Sequence, residues 1–284
     1  MGNDAIKDRG VRGLQVPRKL SLLGGLDPTR SIYQFEDFIG DHIAEDSAIV
    51  VNQSGTALTA AAISEAAGFP IEGHGGWITG KTDDVDAEID EVALGAKPWL
   101  NPSALKAGQL VVCEIAFVVP TALTARQYFV GLSDDETEGT ATNGALNIAS
   151  GITISAVAAD AAGFIMSSLA TDNDAWYSAA AKATVVGTAL NLATSSEGPV
   201  NIGPAVVDDY TKLRVEVDVL GNCWFYGIVS ATGQREVEPT FGDFQAAAIT
   251  ADIVYLPLFT AAPTTTTGVE WDIDYMYGGV VGAA

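Results

Sequence analysis

Leu213-Arg-Val-Glu-Val-Asp-Val219 alternates apolar and charged residues without a break, and Gly221-Asn222 then leads into the aromatic run Cys223-Trp-Phe-Tyr226. A period of two places Leu213, Val215, Val217 and Val219 on one side of a strand and Arg214, Glu216 and Asp218 on the other. The Gly-Asn pair turns the chain back, so the two runs read as an antiparallel hairpin with one buried face. The apolar residues do not recur at the intervals of three and four that an amphipathic helix needs.

Working outward, the same kind of signal recurs. Leu110 to Val119 is a β-branched and apolar run ended by Pro120, and Tyr128-Phe-Val-Gly-Leu132 follows it, closed by Asp134 and Asp135. Gly163 to Ser167 and Trp176 to Ala179 flank the turn Thr171-Asp-Asn-Asp174, and a last pair is Ile253 to Phe259 and Val269 to Tyr277. In that final strand, alternation puts Val269, Trp271, Ile273, Tyr275 and Tyr277 on one face. The Ala-rich residues 56–67 fit a helix or a pair of small-residue strands, while 135–162 and 180–205 read as loops or weak edge strands. Many short strands, no strong helix and no fixed repeat predict an all-β sandwich.

The order of these segments resembles phage virion proteins built on a concanavalin-like jelly roll. The residues that carry it are Phe35-Glu-Asp-Phe38, Leu110 to Val119, Phe129-Val-Gly-Leu-Ser-Asp134, Ala162-Gly-Phe-Ile-Met166, Asp172-Asn-Asp-Ala-Trp-Tyr177, Tyr210 to Asp218 with Gly221 and Phe225-Tyr226, and Trp271-Asp-Ile-Asp-Tyr275. The resemblance spans roughly residues 33 to 277. It implies a concanavalin-like jelly-roll β-sandwich with a structural role as a capsid decoration or cement protein, or as a head fibre. The implied partner is the major capsid protein, on the exterior of a virion assembled in the host cytoplasm, with a homo-oligomer, a trimer foremost. A carbohydrate-binding fibre or tail module on the same fold is the alternative, and a laminarinase-like glycoside hydrolase comes third.

Charge divides the chain of 284 residues into an arm, 1–30, and a sandwich domain, 31–284. The arm carries six basic residues against three aspartates, net +3, and the chain total of −22 therefore leaves −25 for the body. Leu14, Leu20, Leu22 and Leu23 lie among Arg9, Arg12, Arg18 and Lys19, which reads as an extended capsid-binding arm rather than a solvated tail. Nucleic acid is excluded as a partner because phosphate binding needs clustered Lys and Arg. No apolar run approaches the roughly 20 residues that span a bilayer, and Met1 to Gly10 has no apolar core of a secretory signal. Cys113 and Cys223, in apolar runs without CxxC spacing, read as buried free thiols.

Four groups of residues invite a chemical reading. Glu270-Trp-Asp272-Ile-Asp274 would show three carboxylates on one strand face, as retaining glycosidases do, but the third is Asp where Glu is usual and only ten residues follow, so a solvated strand face is expected. His42 and His74 stand alone, without a nucleophile elbow or HExxH. The acidic clusters Asp83 to Glu88 and Asp134 to Glu138 lack EF-hand spacing, leaving a structural Ca²⁺ as the one cofactor they allow. Trp77, Trp99, Trp176, Trp224 and Trp271 read as core rather than as a sugar platform. The expectation is a non-enzymatic protein with no catalytic residue and no metal ligand.

Overall fold

The computed structural model describes residues 33–36, 49–53, 63–65, 78–82, 89–95, 97–119, 124–134, 145–150, 153–156, 158–170, 175–183, 185–186, 201–204, 210–230, 241–265 and 268–282. The arm at 1–30, both histidines, Trp77 and the acidic cluster at 83–88 lie outside them. In chain order the strands are β1 (Tyr33–Glu36), β2 (Ile49–Gln53), β3 (Ile63–Glu65), β4 (Ile78–Lys81), β5 (Asp90–Leu94), β6 (Gln109–Val118), β7 (Arg126–Ser133), β8 (Leu146–Ser150) and β9 (Thr153–Ala156). They continue with β10 (Ala161–Ser167), β11 (Ala175–Lys182), β12 (Val185–Val186), β13 (Asn201–Pro204), β14 (Tyr210–Val217), β15 (Cys223–Ser230), β16 (Phe241–Gln245), β17 (Leu256–Pro263) and β18 (Glu270–Gly282). One turn of 3-10 helix, Pro102–Ala104, is the only helical piece among the described residues.

Sixteen of these strands form two eight-stranded antiparallel sheets, the jelly-roll sandwich expected from the sequence, and β8 and β9 form a third sheet of two strands. Sheet one runs β16-β15-β14-β6-β18-β4-β3, and β1 pairs with β18 at Met276–Gly279, past the end of β4. Sheet two runs β12-β11-β10-β7-β17-β5-β2, with β13 alongside β11. Neighbours far apart in sequence, such as β6 beside β18, give the fold its long-range character and make register the central problem.

The hairpin β14–β15 closes on the pair Val217 and Cys223. Asp218 then makes the turn: one carboxylate oxygen accepts the N–H groups of Leu220 and Asn222 at 2.8 and 3.0 Å, and the other accepts Asn222 Nδ2 at 2.8 Å. Gly221 sits at φ +77°, where a Cβ would lie 2.3 Å from the Ile249 carbonyl oxygen. Val219 falls beyond the strand and is exposed, so the buried row ends at Val217, one step earlier than alternation alone suggested.

Between the sheets lies one core. Sheet one contributes Val111, Cys113, Ile115, Phe117, Leu213, Val215, Val217, Phe225, Trp271 and Ile273; sheet two contributes Val92, Tyr128, Val130, Phe164, Trp176 and Phe259. Rings interlock across the gap, Phe117 edge-on to Trp176 at 5.4 Å and to Phe259 at 5.5 Å, with Phe259 5.7 Å from Trp271. Trp271 packs over Gly80, whose missing Cβ would meet the ring at 2.0 Å, and its indole N–H donates to Asp90 Oδ2 at 2.8 Å on the facing sheet. Cys113 and Cys223 are buried and free, as read from the sequence. Burial pushes both thiols well up, with the carboxylates of Glu114 and Asp218 respectively adding to the rise, so neither is a nucleophile.

Two sequence readings change, the inward face of β18 and the start of β17, and two open ones, 135–162 and 56–67, are narrowed. β18 carries a bulge between Ile273 and Tyr275, so Trp271, Ile273 and Met276 point inward while Tyr275 and Tyr277 join a cluster on the outer face with Val112, Ala116, Val118 and Tyr210. The stretch 135–162 contains the paired strands β8 and β9, and β17 starts at Leu256 rather than Ile253. Within 56–67, Ile63–Glu65 is a strand paired to β4, and the rest lies outside the described residues.

Val217 has no exposed surface and Val219 is 40% exposed. Val217→Asp should therefore lower the unfolding free energy by about 3 kcal/mol or more through an unpaired buried charge, whereas Val219→Asp should shift it by less than about 0.5 kcal/mol. Chemical denaturation of the two variants checks this, and equal losses would place the strand end wrongly.

Candidate binding face

The two outer faces of the sandwich differ in kind. On sheet two the outward residues are small or apolar: Phe129, Ala161, Ile165, Tyr177, Ala179, Ala181, Leu256 and Leu258. Leu146, Ile148 and Ile154 of β8 and β9 pack down on them, and the Ile148 N–H donates to Gln127 Oε1 at 3.0 Å. Asn147 and Ser155 hold the two strands of this cover together through their side chains. That face is closed by the chain itself.

On sheet one charged and polar residues stand among apolar ones on the outward face, and the register sorts them into rows. One row crosses Tyr226 of β15, Arg214 of β14, Glu114 of β6 and Tyr277 of β18; the next crosses Phe244 of β16, Trp224, Glu216 and Val112. Arg214 Nη1 lies 3.2 Å from Glu114 Oε2, and its Nε and Nη2 lie 2.8 and 2.7 Å from Glu216 Oε1. Tyr275 donates its hydroxyl to Glu114 Oε1 at 2.6 Å, and Tyr210 donates to Asp274 Oδ2 at 2.7 Å. Lys212, Asp272 and Asp274 are buried on this face as well, and Glu270 is half-buried. Of the three carboxylates expected on a solvated strand face, Asp272 and Asp274 are thus enclosed, a correction that for Asp274 traces to the Tyr210 hydroxyl of a neighbouring strand, while Glu270 keeps part of its surface.

Electrostatics follows from this enclosure. Burial disfavours the Arg214 cation, but Glu114 and Glu216 outweigh that and hold the guanidinium protonated above its ordinary range. Burial, followed by the charge of Glu114, raises the Tyr275 phenol well above its usual value. Desolvation raises Tyr226 too, helped by Glu216 and opposed by Arg214.

At the β15–β16 edge the character changes again. Trp224 and Tyr226 are half-exposed and Phe244 is 48% exposed, and the Trp224 and Phe244 rings touch at 5.1 Å with a 43° tilt. Gly242 stands opposite Tyr226, so β16 supplies no side chain to cover that ring. The edge is pinned from inside: Ser178 of sheet two donates to Asp243 Oδ2 at 2.6 Å, and Gln245 Nε2 reaches the same oxygen at 3.1 Å. The outcome is an aromatic strip, Trp224–Phe244–Tyr226, bordered by Glu216.

Of the five tryptophans, Trp176 and Trp271 are core as expected, and half-buried Trp99 donates to the Leu94 carbonyl at 2.9 Å. Trp224 is the departure, one of three rings that the sequence reading did not assemble. Among the described residues no group of three His, Cys, Asp or Glu is placed to hold a metal ion; Asp134 of the second acidic cluster is described, and 135–138 lie outside. Arg9, Arg12, Leu14, Arg18, Lys19, Leu20, Leu22 and Leu23 likewise lie outside.

No protein-family model and no curated protein matches the chain. Solved structures do. A protein of unknown function from Shewanella oneidensis MR-1, SO2946, aligns at a TM-score of 0.55 and 13% identity over 88% of this chain and 86% of that one. Peanut lectin aligns at 0.52 and 10% identity over 89% and 99%, and a Bacteroides ovatus endo-glucanase of glycoside hydrolase family 16 at 0.50 and 11% over 86% and 98%. The chain is similar to these in fold.

Two outcomes are expected from the buried polar groups. Replacing Arg214 with Met strands Glu114 and Glu216 without their cation and should cost about 3–5 kcal/mol in a denaturant titration. Burial also raises the phenols of Tyr128, Tyr255 and Tyr275 above their ordinary value of 10.0. A raised folded pKa contributes stability that is intact below the unfolded pKa and lost above it, so unfolding should set in as pH climbs past about 10. Tyrosinate absorbance and circular dichroism should then change together; ionisation of these phenols in a folded protein would contradict the burial.

Proposed function

We propose that this chain is a non-catalytic carbohydrate-binding sandwich module, with the strip Trp224–Phe244–Tyr226 as its contact surface. The concanavalin-like fold serves a lectin in peanut and an endo-glucanase in Bacteroides ovatus, so fold leaves binding and hydrolysis equally open. The observation that carries the reading is a contrast on one face. Phe244 is exposed and Trp224 and Tyr226 are half-exposed, while Glu114, Asp272 and Asp274 are buried and Glu114 and Asp274 are engaged by Arg214, Tyr275 and Tyr210. A retaining glycosidase needs two carboxyls about 5–5.5 Å apart with a sugar ring between them, and carboxylates enclosed in a hydrogen-bonded network leave no space for one. Flat rings at a solvated surface supply contact area at little conformational cost.

A second reading places the module on a phage particle as a capsid decoration or cement protein, or as a head fibre. It is favoured by the order of the strand segments in the sequence and by the +3 arm joined to a −25 body. In that setting the arm would hold the major capsid protein, and the sandwich would project outward as a homo-oligomer.

Incubation with laminarin, lichenan and agarose should release no reducing ends, while affinity electrophoresis through gels holding these glycans should retard the protein. Turnover that disappears in Glu270→Gln would overturn the non-catalytic reading. For the particle, co-sedimentation of full-length protein with undecorated capsids at molar salt, and its loss on removing residues 1–30, is the expected result. Equal binding by the truncated protein would move attachment to the sandwich.

A further inference from the structure

The strip's surroundings specify the charge of its ligand, an inference that rests on the carbohydrate-binding reading above. Glu216 stands beside Trp224 in the same row, and both guanidinium contacts fall on its Oε1. Glu216 keeps 10% of its side chain exposed, and no donor among the described residues reaches its Oε2, which leaves one acceptor at the border of the aromatic surface. Among the described residues the cations paired across to β15, Arg214 and Lys212, are each 2% exposed, and Arg214 is already shared between two carboxylates. Recognition of a uronate, sulfate or sialic acid calls for an accessible Arg or Lys fork, and none of the described residues offers one at this edge. The −25 body adds a long-range repulsion toward any polyanion.

We infer that the strip takes a neutral polysaccharide, its C–H faces resting on Trp224, Phe244 and Tyr226 and a hydroxyl donating to Glu216 Oε2. The electron-rich ring faces attract the polarised C–H groups of a pyranose, and a carboxylate accepts from a hydroxyl where it would repel an acidic substituent. A neutral chain also leaves the Arg214 network undisturbed, because nothing in the ligand competes for the guanidinium.

The test uses the full chain in affinity electrophoresis through gels of neutral polysaccharides (a mixed-linkage β-glucan, a galactomannan) and anionic ones (polygalacturonate, alginate). Variants are Trp224→Ala, Phe244→Ala and, as a control on another exposed apolar residue, Leu169→Ala. The expected result is retention by a neutral polymer, weakened about tenfold or more by each strip variant and unchanged in the control. Phe244 is largely exposed, so its variant keeps the test decisive if Trp224→Ala is less stable. Retention only by an anionic polymer, lost with Trp224, would overturn the neutral-ligand inference and leave the carbohydrate-binding site standing. Retention unaffected by either strip variant would remove the strip as the site. No retention on any polymer, with self-association in sedimentation velocity that is lost in Phe244→Ala, would overturn both readings and make the strip a contact between copies.

Discussion

Asp274 is one residue too many for the ladder between β18 and β6: Ile273 stands opposite Phe117 and Tyr275 opposite Ala116, with Asp274 between. A single extra residue reverses every side chain after it. Before the bulge Trp271 and Ile273 face the core; after it Met276 and Gly278 do, and Tyr275 and Tyr277 emerge on the outer face. Without the bulge two tyrosines would crowd the narrow space where Gly278 now admits Pro257 and Trp99. The same extra residue delivers Asp274 to the Tyr210 hydroxyl and the Tyr275 hydroxyl to Glu114. The outer face of sheet one is therefore built by a backbone irregularity in its central strand.

The polar network that results is better understood as a register device than as a source of stability. A buried ion triad such as Glu114–Arg214–Glu216 gains Coulomb energy that roughly offsets the desolvation of its members, and apolar replacements of similar volume are often as stable. What the network does is penalise wrong pairings. A slip of β14 by one residue would turn Arg214 and Glu216 into the core together and leave Glu114 on the outer face without its cation. In a sheet whose central neighbours lie about a hundred residues or more apart in sequence, that penalty favours the correct partner among several valine-rich strands.

Most of the fold was legible because its strands announce themselves through alternation: the hairpin around Gly221, the long β6, the buried β7 and the closing β18 all lie where the pattern puts them. The bulge was not legible, because a pattern with period two carries no mark of an inserted residue when both candidates, Tyr275 and Met276, suit a buried position. Nor was the enclosure of the charged rows. Arg214 and Glu216 alternate with valines as solvent-facing residues do, and only the cross-strand neighbours Glu114 and Tyr275, from distant segments, reveal that they satisfy one another. The strip was half visible. Trp224 and Tyr226 share one face of β15 by simple alternation, but Phe244 joins them through pairing with a strand that the sequence does not flag.

The position of the strip at an edge has a physical logic. An exposed aromatic surface beside an edge strand invites sheet-to-sheet association unless something opposes it. Here Asp243 is drawn inward to Ser178, which ties β16 to the facing sheet and keeps it from swinging out as a free strand. The body's charge of −25 adds a repulsion between like-charged copies. A neutral polymer, the ligand proposed for the strip, would not feel that repulsion, whereas another copy of the chain would.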